Sequence, residues 1–233
     1  MKNKFDDPVW TEYNASFANN YDEYNYDKSL QSIVMSSSHK FAEKKYSKLD
    51  HFSKVLEIGA GTGEHLVFVR HTYDEYVLTD HNSKTLDIAK KKLSLIAANK
   101  VSYDVQAGDN LNYPDNFFDR LIATHVLEHI YEPQNALNEW SRVIKNNGIM
   151  TIIIPTDPGL LWRFGRNLGP RRRAISRGIP YDYIMAREHV NPCGNLISIL
   201  RYMFPDYTEG WWPTSIPSID LNLFFAFHAR IIK

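Results

Sequence analysis

The sequence predicts an α/β domain with a mostly parallel sheet and helices on both faces, and three observations carry that prediction. Between Lys54 and Pro155, short β-branched runs alternate with stretches of helical spacing. Strands separated by helices of about 10–15 residues require right-handed crossovers and parallel pairing. A glycine-rich loop follows the first strand, where open α/β sheets bind ligands. The last two strand-like runs have no room for a helix between them, so they pair antiparallel.

Lys54–Gly59 (KVLEIG) is a short apolar strand ending in glycine, and Glu64–His71 opens a helix after it. Tyr76–Asp80 (YVLTD) is the second strand. Asn82–Ala98 follows with helical spacing at Leu86, Ala89, Leu93 and Ile96, capped by Asn82 or Ser83. Val101–Ala107 alternates as a strand, and Phe118–Val126 reads as another. A helix over Pro133–Lys145 stops at Asn146-Asn147-Gly148. Gly148–Pro155 (GIMTIIIP) is a strand whose composition suits burial on both faces. Thr156–Glu188 is rich in Gly, Pro and Arg and has no clean period; the helical pattern resumes over Pro192–Phe204. Tyr207–Trp212 and Asp220–Ile231 form the terminal edge hairpin. The organisation expected is a helical extension or lid over residues 1–50, then one domain over 51–233 with an insertion at 156–188.

Composition excludes several classes. The 233 residues carry 27 Lys+Arg against 27 Asp+Glu, so nothing overall would attract a polyanion. The lone Cys193 rules out an intrachain disulfide scaffold. The opening MKNKFDDPVW has no apolar stretch of the signal-peptide kind. No apolar run approaches the ~20 residues needed to span a bilayer. The cytosol is the expected compartment, with peripheral contact at the inner membrane face left open.

Val55-Leu56-Glu57-Ile58-Gly59-Ala60-Gly61-Thr62-Gly63 carries a strand into a loop through which a ligand can approach the backbone closely. Asp80 ends the next strand 21 residues after Gly59, where an acid can bond ribose hydroxyls. A dinucleotide fingerprint would place a small residue where Glu64 stands, and an acid there repels a pyrophosphate. A sulfonium cofactor with a free amino group instead tolerates nearby carboxylates.

Glu57-Ile-Gly59-Ala-Gly61-Thr-Gly63 resembles the first motif of class I S-adenosylmethionine-dependent methyltransferases, in particular bacterial small-molecule methyltransferases of the type 11 kind. Asp80, Gly108-Asp109-Asn110, Phe117-Phe118-Asp119 with Ala123 to His129, and Ile144 to Gly148 resemble the later motifs, so the likeness covers about Val55–Pro155. It implies a Rossmann-like seven-stranded sheet with its last strand antiparallel. It also implies that S-adenosyl-L-methionine binds against Glu57, Gly59, Ala60, Gly61, Gly63, Asp80, His81, Asp109, Asn110 and His125, leaving S-adenosyl-L-homocysteine as product. A tyrosine of the N-terminal extension, Tyr13 or Tyr21, would reach the methionine carboxylate. Plainer roles stay open: Glu57 satisfying buried N–H groups, Asp80 capping a helix, and Asp109 shaping a turn.

On the acceptor side, a hydroxyl acceptor needs a base, and His125, His129 and His189 are the candidates. His125-x-x-Glu128-His129 resembles the Glu-x-x-Glu-His cation site of ubiquinone-type O-methyltransferases. Histidine in the first position leaves a hard oxygen site short of a carboxylate, so no metal is assigned. Arg163, Arg166, Arg171, Arg172, Arg173 and Arg177 fall within 15 residues of the insertion, with no acid between Gly159 and Pro180. Interleaved with Trp162, Phe164 and Leu168, they suit an anionic small molecule or anionic lipid headgroups, whereas nucleic acid is disfavoured. The alternative is a solvated loop whose arginines pair with the acidic N-terminal segment.

The expected function is therefore methyl transfer to a small, anionic acceptor, with O-methylation of a phosphorylated or lipid-linked sugar favoured. N-methylation and a non-catalytic cofactor-binding module are the alternatives, and a nicotinamide dehydrogenase is a distant third. The zero net charge conceals polarity: residues 1–27 hold two lysines and six acids, and residues 159–180 hold six arginines and no acid.

Overall fold

The computed structural model of the chain describes residues 7–13, 30–94 and 99–233. Residues 8–13 are helical. Helix α1 (Leu30–Glu43) precedes the strands β1 (His51–Ile58) and β2 (Thr72–Asp80), followed by α2 (Ser83–Leu93), β3 (Val101–Val105) and β4 (Phe118–Thr124). After α3 (Pro133–Val143) and β5 (Ile144–Pro155) come α4 (Leu160–Leu168), α5 (Pro170–Ser176), α6 (Tyr181–Glu188) and α7 (Cys193–Met203). Strands β6 (Tyr207–Trp212) and β7 (Phe224–Arg230) close the fold.

The seven strands run β3-β2-β1-β4-β5-β7-β6 across one sheet. Strands β1 to β5 pair in parallel, and β7 enters antiparallel between β5 and β6. The expected terminal hairpin is therefore present, with β6 at the edge. The strand order reverses between β1 and β4, which places a crevice above their carboxyl ends.

Both faces are covered, as a parallel sheet requires. On one face Leu56, Leu121, Ile152 and Phe227 pack with Trp140 of α3 and with Leu196 and Leu200 of α7. On the other, Val55, Tyr76, Leu78 and Ile122 pack with Leu86 and Leu93 of α2. Ala42 of α1 covers Ile153, Phe224 and Ala226 of β5 and β7.

A buried ion pair joins α1 to the sheet. Arg120 Nη2 donates to Glu43 Oε1 at 2.6 Å and Nη1 to Oε2 at 3.2 Å, with both side chains fully buried. The guanidinium lies 3.9 Å from the Tyr46 ring centroid. Burial alone would raise the Glu43 carboxyl, but Arg120 and His65 hold it far below the usual carboxylate range.

Several boundaries differ from those the sequence predicts. The helix expected over Glu64–His71 is only a 3-10 turn, His65–Phe68. His65 Nε2 meets Glu43 Oε1 at 3.2 Å and Arg70 N–H donates to Glu43 Oε2 at 3.4 Å, drawing this stretch onto α1. Helix α2 ends at Leu93, and residues 95–98 of the predicted helix lie outside the described residues. Asn146-Asn147-Gly148 belongs to β5 rather than stopping a helix: Asn147 has φ +64° and the β4–β5 register shifts between Phe118 and Arg120. The final strand begins at Phe224 rather than Asp220. The 156–188 segment, which has no single period, is three short helices punctuated by Pro170 and Pro180.

Candidate active site

The carboxyl end of β1 runs into a loop with positive φ at Gly59 (+63°), Gly61 (+54°) and Gly63 (+79°). A Cβ on Gly59 would lie 2.5 Å from Val126 Cγ2, and one on Gly63 would lie 2.6 Å from Leu93 Cδ1. Both positions thus need glycine for backbone conformation and for space. Ala60 N–H donates to the Thr79 carbonyl at 2.8 Å, which ties the loop to β2.

Asp80 closes the other wall. Its Oδ2 accepts from Gly61 N–H at 2.9 Å and its Oδ1 from Asn82 N–H at 2.8 Å. Asn82 in turn caps α2 through Lys84 N–H. Asp80 is 8% exposed, and these two hydrogen bonds leave further lone pairs on its carboxylate able to accept. Glu57 is buried beneath, accepting a 2.6 Å hydrogen bond from Tyr76 Oη, and burial pushes its carboxyl up. His81 is exposed, with Nδ1 3.5 Å from Asp80 Oδ1. Asp109 and Asn110 are exposed in a turn closed by Asn110 N–H to the Ala107 carbonyl. A Cβ on Gly108 in that turn would touch Ile58 and Ile130, which sets the turn beside the glycine loop. A glycine cradle with accepting carboxylates fits a nucleoside that presents hydroxyl donors, as an S-adenosyl group does.

The acceptor side is assembled from more distant parts. His125, with φ +58°, leaves the end of β4, and its Nε2 meets Ser38 Oγ of α1 at 2.8 Å. Its ring packs edge-on against Phe224, and burial lowers its pKa to about 3. Glu128 and His129 follow in a 3-10 turn. Glu128 is buried with Oε2 free of any hydrogen-bond partner, and burial raises its carboxyl to about 7. His129 Nδ1 lies 2.7 Å from the Glu188 carbonyl, and burial lowers this imidazole to about 4.

His189, just past α6, places Nδ1 2.8 Å from Asp157 Oδ2 at the end of β5. Burial alone would raise the Asp157 carboxyl, but His189, followed by Arg166, holds it below the usual range. A carboxylate on Nδ1 fixes the proton there and leaves Nε2 free to accept one. Trp162 stacks toward His189 at 6.3 Å, and the His129 ring lies 5.2 Å away. Asn191 anchors this corner by donating to the Ile130 carbonyl at 2.5 Å. Glu128, His129 and His189 each offer a ligand atom within 4.8 Å of the others. Two imidazoles and one carboxylate form a borderline donor set, short of the oxygens that Mg²⁺ demands.

Residues 56–152 match the family model described as a methyltransferase domain. Over that span the chain is similar to methyltransferase domains. The chain is 34% identical over 110 residues to 2-methyl-6-phytyl-1,4-hydroquinone methyltransferase 1 of Oryza sativa subsp. japonica, covering 46% of this chain and 32% of that protein. It is 31% identical over 104 residues to the ubiquinone/menaquinone biosynthesis C-methyltransferase of Shewanella sp. (strain W3-18-1), covering 43% of this chain and 41% of that one. The chain thus spans well under half the length of these curated relatives. The fold matches that of the N-methyltransferase NodS from Bradyrhizobium japonicum WM9, solved with S-adenosyl-l-homocysteine, at a TM-score of 0.64, 14% identity and coverage of 97% and 100%. A SAM-dependent methyltransferase from Aquifex aeolicus gives 0.62, 17% identity and coverage of 92% and 98%.

The residues named from sequence fall into three groups. Gly59, Ala60, Gly61, Gly63, Asp80 and Glu57 gather at the β1 loop, with His81 at its rim and the Asp109-Asn110 turn alongside. His125, His129 and His189 gather past the ends of β4 and β5. The arginines spread out: Arg171 forms a bidentate pair with Asp182, and Arg166 Nη1 lies 3.4 Å from Asp157 Oδ2. Arg163 and Arg172 are exposed on α4 and α5. Among the described residues, Arg187 meets the acidic N-terminal segment: its Nη1 lies 2.7 Å from Asp7 Oδ2 and its guanidinium covers Trp10. Tyr13 stacks on Trp10 at 5.7 Å, and Tyr21 lies outside the described residues.

Sequence reading passed over Asp157, Ser38 and Asn191. Asp157 was legible only as the second residue after the strongest strand, near where α/β ligands bind; nothing in the chain links it to His189, 32 residues on.

Proposed function

We propose that this domain transfers a methyl group from S-adenosyl-L-methionine to a hydroxyl-bearing, lipid-linked small molecule. Asp157 paired with His189 carries the reading of the acceptor, because an imidazole held by a carboxylate beside the cofactor loop serves acceptors that must lose a proton. The bound sulfonium supplies an electrophilic methyl group.

In this proposal the glycine loop and Asp80 hold the nucleoside, and Glu57 braces the loop from below. His189 Nε2 takes the acceptor's hydroxyl proton, and Asp157 keeps the ring in the accepting tautomer. His125, tied to Ser38 and kept neutral by burial, is a positioning residue, and residues 1–50 act as a lid anchored through Ser38 and Asp7. Glu128, whose carboxyl can hold a proton near neutrality, donates a hydrogen bond to the acceptor's oxygen.

The relatives support a lipid-like acceptor: the rice protein is named for a phytyl hydroquinone and the Shewanella protein for quinone biosynthesis. A lipid-linked sugar shares the ionising hydroxyl and the apolar carrier. The pairing of Arg166 and Arg171 with acids weakens the case for a free phosphorylated sugar. Labelled-cofactor assays on hydroquinones, lipid-linked sugars and amines test this reading. Turnover on a hydroxyl acceptor that disappears in His189→Ala supports it, and turnover confined to amines contradicts it.

A further inference from the structure

Helix α4 is amphipathic the wrong way round for a packed helix. Its inward side carries Trp162, 6.0 Å from the Phe224 ring, and Arg166, paired with Asp157. Leu160, Phe164 and Leu168 recur every four residues on the opposite side, 62%, 61% and 52% exposed. Ile175 of α5 is also exposed, at 49%. Arg163 and Arg172 are exposed beside these apolar residues, and no acid occurs from residue 159 to 180.

From this geometry we infer that α4 and α5 dock on an anionic bilayer surface, with Leu160, Phe164, Leu168 and Ile175 inserted among headgroups and Arg163 and Arg172 on phosphates. The occupant must be apolar and anionic at once, which a bilayer interface is. A second copy of the chain meeting the same face would press arginine against arginine. No helix among the described residues is long and apolar enough to cross a membrane, so α4 lies in the interface and does not span it. Lying there, it would hold the bilayer one helix diameter, about 10 Å, from Trp162 and His189. The inference deepens the proposed function by stating how a lipid-linked acceptor reaches His189.

Vesicle flotation of the full chain tests it, using phosphatidylcholine alone and an equimolar mixture with phosphatidylglycerol. The chain should float with the mixed vesicles and stay behind with the neutral ones. Phe164→Asp combined with Leu168→Asp should cut the bound fraction at least about tenfold, and Arg163→Glu with Arg172→Glu should cut it about tenfold. Because these four side chains are exposed, both variants should bind S-adenosyl-L-homocysteine as the parent does. Parent chain that fails to float, or variants that float equally well, would overturn the inference. So would a parent dimer by light scattering that Phe164→Asp dissolves, which would assign the face to a second copy. Flotation reads no chemistry: a chain that floats but cannot bind S-adenosyl-L-homocysteine contradicts only the proposed function.

Discussion

The two halves of the site are built from different materials. The half proposed for the cofactor is mainly backbone: three left-handed glycines, N–H groups and the Asp80 carboxylate, drawn from 24 consecutive positions between Glu57 and Asp80. The half proposed for the acceptor is side chain: Ser38, Glu128 with His129, Asp157 and His189 come from four separate segments and meet only through the fold. A backbone cradle tolerates little change because a Cβ collides with its neighbours, whereas a side-chain cluster can be re-equipped without disturbing the sheet. In the proposed function the first half holds the cofactor and the second selects what is methylated.

The largest expected effect comes from breaking only the second half. His189→Ala should lower kcat about a thousandfold on a hydroxyl acceptor while leaving S-adenosyl-L-homocysteine affinity unchanged. Asp157→Asn should lie between it and the parent. Single-turnover rates alongside calorimetry separate the two quantities, and a His189→Ala enzyme at parental speed would remove the base from this account.

The joint between the halves should matter almost as much, through stability. Glu43→Ala strands the buried Arg120 guanidinium and should cost about 3 kcal/mol in urea unfolding. A loss below about 1 kcal/mol would mean that the pair is hydrated and that α1 is not anchored by it.

Acid should strain that joint and the acceptor side together. Burial holds His71 near 4, and His125 and His228 near 3, well below the usual 6.5. Below about pH 6.5 the unfolded chain binds protons that the folded chain refuses. Stability is therefore full above that value and falls until the folded imidazoles protonate at 3–4. One such group accounts for about 2 kcal/mol between pH 7 and pH 5, so the melting temperature should drop clearly over that interval. His228→Gln should flatten the slope; an unchanged slope in that variant would mean that His228 titrates normally.

Much of the fold was legible because parallel strands buried on both faces announce themselves: Ile152-Ile153-Ile154 could hardly be anything else. The glycine loop was legible because its chemistry is local. Helices α4 to α6 were not, since each is short and cut from the next by Pro170 or Pro180, so the four-residue spacing of Leu160, Phe164 and Leu168 is never sustained. The His189–Asp157 contact was illegible for a different reason: it is created by β5 and the end of α6 meeting in space. His65–Phe68 stops short because Glu43, more than twenty residues earlier, pulls on it.

The smallest expected effect concerns metal. In the proposed function Glu128 and His189 handle protons rather than hold an ion, so neither a chelator nor added Mg²⁺ should alter the rate. A chelator-dependent loss restored by zinc would recast them as ligands.

The division of labour is tested most directly by titrating S-adenosyl-L-homocysteine calorimetrically into the parent, Asp80→Ala and His189→Ala proteins. The account predicts that Asp80→Ala weakens binding about a hundredfold, since Asp80 both accepts from the ligand and shapes the loop, and that His189→Ala binds as the parent does. Equal weakening in both variants, or full binding by Asp80→Ala, would contradict it.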